Sequence, residues 1–266
     1  MNSKILHLRE FITPADNRSL VVDTSGGLSL GPLPGLEYYT RAVMPLLPLV
    51  DAVIASPGQC RRLSGRTRQD AALLVRADWT NALRTPDFVL SPEVIIHLPV
   101  LTPQGALDLG ASALVLHFLL GHEEHIEAGC LRTTVQYAIQ GRQIGMPLLI
   151  EVQPVGKRVA LRSKAIELGV SYALEGGADG VAVPWPGRES LETILTMSAE
   201  VPVWIKPTAL EDSQAELAEA LELGVTGLWL DERIFTQPEP IKLLQTLSAQ
   251  IHPSQDVRDR FPNLPQ

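Results

Sequence analysis

Charged side chains that close short apolar runs have the strongest claim to chemistry in this sequence. Asp23 follows Leu20-Val21-Val22, and Asp78 stands just beyond Leu73-Leu74-Val75. Glu151 closes Leu148-Leu149-Ile150, Lys206 closes Val203-Trp204-Ile205, and Asp231 closes Leu228-Trp229-Leu230. One primary amine among carboxylates suggests carbonyl chemistry. A desolvated lysine can serve as nucleophile or base, whereas neighbouring carboxylates pull it back toward the ammonium. Lys206 therefore has two readings: a reactive amine, or the buried ion-pair partner of Glu151 or Asp231. His117, inside Leu114-Val115-Leu116-His117-Phe118, reads as an acid/base group or as a hydrogen-bonded core histidine. Asp23 enters Thr24-Ser25-Gly26-Gly27, and packing alone gives no reason for a carboxylate there. Glu151 and Gln153 share one strand face because side chains alternate. Asp23, Lys206, His117 and Glu151 are the catalytic candidates. Asp78, Gln153, Asp231 and Trp185 of Pro184-Trp185-Pro186-Gly187 are the candidate substrate contacts.

These residues need elements that bring run ends together. Apolar runs at 19–22, 51–55, 72–75, 112–118, 147–152, 180–183, 202–205 and 226–230 read as strands. Between them, helical periodicity marks 36–47, a short stretch ending at 106–109, 122–143, 162–175, 189–200, 211–223 and 239–251. Pro45 and Pro48 interrupt the first of these. Alternating strands and helices give a parallel sheet, and eight strands in 266 residues favour a single-domain (β/α)8 TIM barrel over an open doubly wound sheet. In such a barrel the C-terminal strand ends form one face, where all these charged residues would meet. Residues 1–17 read as an N-terminal extension, 18–252 as the barrel and 253–266 as a polar tail. Residues 57–69, with Arg61, Arg62, Arg66 and Arg68, read as a basic loop.

Composition excludes several function classes. With 22 basic against 30 acidic residues the formal charge is −8, so neither nucleic acid nor an anionic membrane is an expected partner. Cys60 and Cys130 lack metal-ligand spacing and read as reduced thiols. No secretory signal or membrane-length apolar run is visible, so a cytoplasmic protein is expected. His122 and His125 share a helix face but sit in an ordinary acidic helix start, so no metal is expected. No P-loop, dinucleotide fingerprint or nucleophile elbow appears, and no cofactor is expected.

The run from Leu20 to Leu36, with Asp23-Thr24-Ser25-Gly26-Gly27 and Gly31-Pro32, resembles the opening of archaeal-type class I fructose-bisphosphate aldolases and, more closely, of the aminodideoxyheptulosonate synthases. The similarity continues through Gly110–His117, Gly145–Glu151 and Gly176–Gly180, covering about residues 18–250. The resemblance implies an eight-stranded barrel, a homo-oligomer, a small carbonyl or sugar ligand, and roles for Asp23 and His117. It also marks departures. Anchored on Gly187, Ala182 occupies the position of the family's Schiff-base lysine. Gln153 stands where the family has a proton-transferring tyrosine, and an amide cannot exchange protons as a phenol does. Lys206-Pro207-Thr208-Ala209 and Asp231-Glu232-Arg233 replace the glycine-containing phosphate loops. The related deoxyribose-phosphate aldolases carry an auxiliary lysine on the seventh strand, as Lys206 would be. Three readings follow: a carbon–carbon lyase with Lys206 as a relocated amine, a barrel enzyme of imine-free chemistry, or a catalytically degenerate homologue serving binding or assembly.

Overall fold

A computed structural model describes residues 3–63 and 71–253. Its centre is a closed barrel of eight parallel strands, as the alternating pattern predicts. The chain runs through β1 (Ser19–Asp23), β2 (Ala52–Ala55) and β3 (Ala72–Arg76). It then leaves the barrel for a hairpin of β4 (Asp78–Thr80) and β5 (His97–Pro99). It returns in β6 (Ala113–Leu120), β7 (Leu148–Pro154), β8 (Gly180–Pro184), β9 (Val203–Lys206) and β10 (Gly227–Leu230), and β10 closes onto β1.

Alternation gives every barrel strand two buried faces. Leu20, Val22, Val53, Ile150 and Val181 face the surrounding helices, whereas Val21, Ile54, Leu74, Val115, Leu149, Ala182, Trp204 and Trp229 fill the interior. The rings of Trp204 and Trp229 meet edge to face at 6.4 Å and 73°, and neither residue is exposed. Gly180 makes room for them, since a Cβ there would stand 2.9 Å from the Trp204 ring. The N-terminal residues pack on the barrel: the helix α1 (Ser3–Leu8) is tied down by a 2.6 Å Lys4–Asp179 ion pair. Phe11 then stacks on Trp204 at 6.1 Å and joins the interior cluster. Burying each such large side chain stabilises the fold by roughly 1.5–3 kcal/mol. The stack packs the N-terminal residues against the floor of the barrel.

Helix ends follow local signals. Thr102 caps α5 (Pro103–Asp108) by accepting from the Gly105 N–H at 3.1 Å, with proline in the first turn. The helices α6 (Glu124–Ile144) and α9 (Ser213–Leu223) stop at Gly145 and Gly224, both left-handed. Between them lie α7 (Arg162–Glu175) and α8 (Arg188–Ser198), and α10 (Pro240–Ile251) is last. Four regions depart from expectation. The helix expected at 36–47 breaks into α3 (Tyr39–Val43) and a 3-10 turn, Met44–Leu49, because Pro45 and Pro48 each remove an N–H donor. The expected basic loop begins as the helix α4 (Pro57–Leu63), and Arg66 and Arg68 lie outside the described residues, as does the tail beyond 253. The short helix α2 (Gly27–Leu30) and the β4–β5 hairpin were not anticipated. Among the described residues no helix is long and apolar enough to cross a membrane.

Candidate active site

The barrel brings Asp23, His117, Glu151 and Lys206 to its C-terminal mouth and adds Arg76, which ends β3 one residue beyond the expected strand. Arg76 is 2% exposed. Its Nη2 donates to Asp23 Oδ2 and to Glu151 Oε2, both at 2.5 Å, and its Nε donates to Ser25 Oγ at 3.2 Å. Asp23 Oδ1 accepts from the Ser25 N–H at 2.7 Å and from Ser25 Oγ at 2.6 Å. This explains the carboxylate entering the Ser-Gly-Gly turn: it organises the turn and holds Arg76. On the other side Glu151 Oε1 accepts from Gln153 Nε2 at 2.7 Å and pairs with Lys206 Nζ.

Burial alone would raise the Glu151 carboxyl, but Lys206, Arg76 and His117 outweigh it and hold it well below the usual range. Burial would likewise lower Lys206, yet Glu151, Asp231 and Asp23 raise it above an ordinary lysine. Lys206 is therefore an ammonium. Of its two sequence readings, the ion pair with Glu151 is the one the structure displays.

Behind this ring lies a second layer. Asp78 is fully buried and accepts from the His117 backbone N–H at 2.6 Å, from His117 Nδ1 at 3.1 Å and from His97 Nε2 at 2.6 Å. Burial opposes its charge, but His117 and His97 prevail and hold its carboxyl far below the ordinary value. Asp78, expected as a substrate contact, therefore supports His117 from behind rather than lining the opening. His117 Nε2 points the other way, 3.6 Å from Glu151 Oε2.

The remaining expected contacts are also partly engaged. Asp231 caps the 3-10 turn Glu232–Thr236 and accepts from the Arg233 N–H at 3.0 Å and Nε at 2.8 Å. Trp185 is half-buried against the apolar layer beneath the helices, beside the charged ring and not within it. Glu232, not expected as a site residue, is a carboxyl displaced toward neutrality. Its carboxylate lies so close over Gly26 that a Cβ there would stand 2.9 Å from both oxygens. Burial, then Asp23 and Asp231, push its carboxyl up to about 7. The only signal in the sequence was its place after β10, next to another acid. Among the described residues no three His, Cys, Asp or Glu side chains are grouped to hold a metal ion.

No family model matches the chain. Curated relatives do. A protein named as an uncharacterised aldolase in Saccharolobus solfataricus is 26% identical over 253 residues, covering 90% of this chain and 92% of the relative. A 3-hydroxy-5-phosphonooxypentane-2,4-dione thiolase of Yersinia enterocolitica is 24% identical over 257 residues, covering 96% and 84%. Among solved structures, a Schiff-base-forming fructose-1,6-bisphosphate aldolase superposes with a TM-score of 0.77 at 18% identity, over 94% of this chain and all of the other. The chain is a barrel protein similar to proteins named as aldolase and thiolase. The fructose-bisphosphate aldolase of Slackia heliotrinireducens shares the architecture at a TM-score of 0.76 and 17% identity, over 97% of this chain and 88% of its own.

Within this barrel, β8 reads Gly180-Val181-Ala182-Val183-Pro184 and carries no amine. Ala182 is unexposed, belongs to the interior cluster, and stands in register with Glu151 on one side and Trp204 on the other. The amine nearest the charged ring comes from β9 instead.

Proposed function

We propose that this aldolase-like barrel is a carbon–carbon lyase that cleaves a small, unphosphorylated hydroxycarbonyl compound without forming an imine. The observation that carries the reading is Lys206, held as an ammonium against Glu151 at the barrel mouth. An ammonium has no lone pair with which to attack a carbonyl. It can donate to the carbonyl oxygen and to the enolate oxygen that replaces it, an interaction strengthened where water is excluded.

In the cleavage direction, ionised Glu232 takes the proton of the β-hydroxyl. The Cα–Cβ electron pair moves toward the carbonyl, an aldehyde leaves, and the resulting enolate oxygen rests against Lys206. Glu232 then returns the proton to the enolate carbon, giving the second carbonyl product. The step is redox-neutral and needs no co-reactant. A carboxyl near 7 suits both halves of this exchange. Asp23 is less suited to it, because it already accepts three hydrogen bonds. The carboxylates of Asp231 and Glu232 after β10 would repel a phosphate group, which supports an unphosphorylated substrate.

The test is NMR of solvent deuterium entering dihydroxyacetone, hydroxyacetone and a panel of unphosphorylated ketoses, with cleavage products followed in parallel. Exchange or cleavage is expected with the wild type and is lost in Lys206→Met. Borohydride added during turnover leaves Lys206 unmodified. A reduced adduct on Lys206 would overturn the imine-free step and establish the relocated amine. Silence across the panel would overturn the lyase reading and leave a binding or assembly role.

A further inference from the structure

Asp78, His97 and Cys130 form a buried chain that the proposed cleavage does not use. Cys130 of α6 lies with its Sγ 3.2 Å from His97 Nδ1 and accepts from the Leu119 N–H at 3.4 Å. His97 of β5 places its Nε2 2.6 Å from Asp78 Oδ2, and the same carboxylate reaches His117. The side chain of His97 is 4% exposed and that of Asp78 is not exposed at all. Two imidazoles thus straddle one buried carboxylate. One of them faces the mouth, while the other comes from a hairpin outside the barrel.

An ionised carboxylate accepts hydrogen bonds and donates none, so every polar group within reach of Asp78 must donate to it. This assigns the proton shared with Asp78 to His117 Nδ1 and leaves Nε2 as the nitrogen turned toward Glu151 at the mouth. The assignment holds only while Asp78 stays ionised, and a fully buried carboxylate keeps its charge only when it is well partnered. His97 is one of the partners that does this. Without it, Asp78 loses one of its donors and holds a proton more readily, and a protonated Asp78 would donate to His117 Nδ1 and move the histidine proton to Nε2.

We infer that His97 is a positioning residue: through the carboxylate it shares with His117, it fixes which nitrogen of His117 carries the proton. The groups bearing on this pair come from several elements. They are Asp78 on β4, Cys130 on α6 and Glu151 on β7, with Arg76 of β3 and Lys206 of β9 acting on Glu151. Cys130 serves His97 in either state, as an S–H donor or as a sulfur acceptor. The consequence for turnover rests on the lyase reading, but the tautomer itself does not and is measured without substrate.

The experiment is long-range 15N–1H NMR of histidine-labelled full-length protein between pH 6 and 9, for wild type, His97→Ala and His97→Gln. In the wild type, His117 is expected to keep a proton on Nδ1 throughout. His97→Ala should lower the Nδ1–H to Nε2–H ratio at His117 about tenfold. His97→Gln, whose amide N–H can replace the Nε2 donor, should restore it. A wild-type His117 protonated on Nε2 alone overturns the inference, and that measurement needs no variant to fold. A tautomer unchanged in a folded His97→Ala protein overturns it as well. Failure of the turnover panel with the expected tautomer would count against the lyase reading alone.

Discussion

Glu232 offers the sharpest single perturbation, because its environment penalises its charge. Its carboxyl rises from 4.5 to about 7, chiefly by burial and then by Asp23 and Asp231. At about 1.4 kcal/mol per pH unit, that rise corresponds to roughly 3 kcal/mol between the protonated and ionised forms. The side chain keeps some contact with water, so about 2 kcal/mol is expected to survive screening. The folded protein holds a proton that the unfolded chain releases between pH 4.5 and 7. Stability therefore falls as pH rises through that window and the loss is complete above it. Glu232→Gln removes the charge while keeping the shape. The variant should match the wild type near pH 5 and exceed it at pH 8, where about 2 kcal/mol raises the melting temperature by about 4–8 °C. Calorimetry or tryptophan fluorescence, with Trp204 and Trp229 both buried, reads the transition. An equal offset at both pH values, or a wild type more stable than the variant at pH 8, would refute the reasoning.

Three further outcomes follow from the same geometry. Lys206→Met removes the ammonium from the buried Glu151 charge, leaving Arg76 and His117 beside it, and should cost about 3 kcal/mol in chemical denaturation, with Glu151→Gln in the same chain recovering most of it. Gly180→Ala drives a methyl to 2.8 Å from Leu149 Cδ2 and 2.9 Å from the Trp204 ring, and should lower stability by about 1–3 kcal/mol in urea titration. Asp78 contributes stability that is present above its unfolded value of 3.8 and is lost as pH falls toward its depressed folded value. Asp78→Asn should therefore flatten the acid-unfolding curve followed by circular dichroism while lowering stability at pH 7.

Much of the architecture was legible because hydrophobic period is a local property. Runs such as Leu148-Leu149-Ile150 and Val203-Trp204-Ile205 declare buried strands, and Gly145 and Gly224 declare helix ends wherever they occur. The same logic placed Asp23, His117, Glu151 and Lys206 on one face, since parallel strands end together. The β4–β5 hairpin escaped because His97-Leu98-Pro99 is too short and too Pro-bounded to show a period. Arg76 escaped because one residue past an apolar run looks like the beginning of a loop, until the closed barrel buries it between two carboxylates.

The sequence by itself determined the eight barrel strands and the main helices between them, the barrel they close into, and a β8 without an amine. Only the tertiary structure decided what each charged group is. Lys206 is an ammonium, Asp78 stands behind His117, Glu232 is displaced toward neutrality, and His97 reaches the site from outside the barrel. The reason is physical: backbone preference is set by neighbours along the chain, whereas protonation is set by burial and by charges a few ångströms away through space.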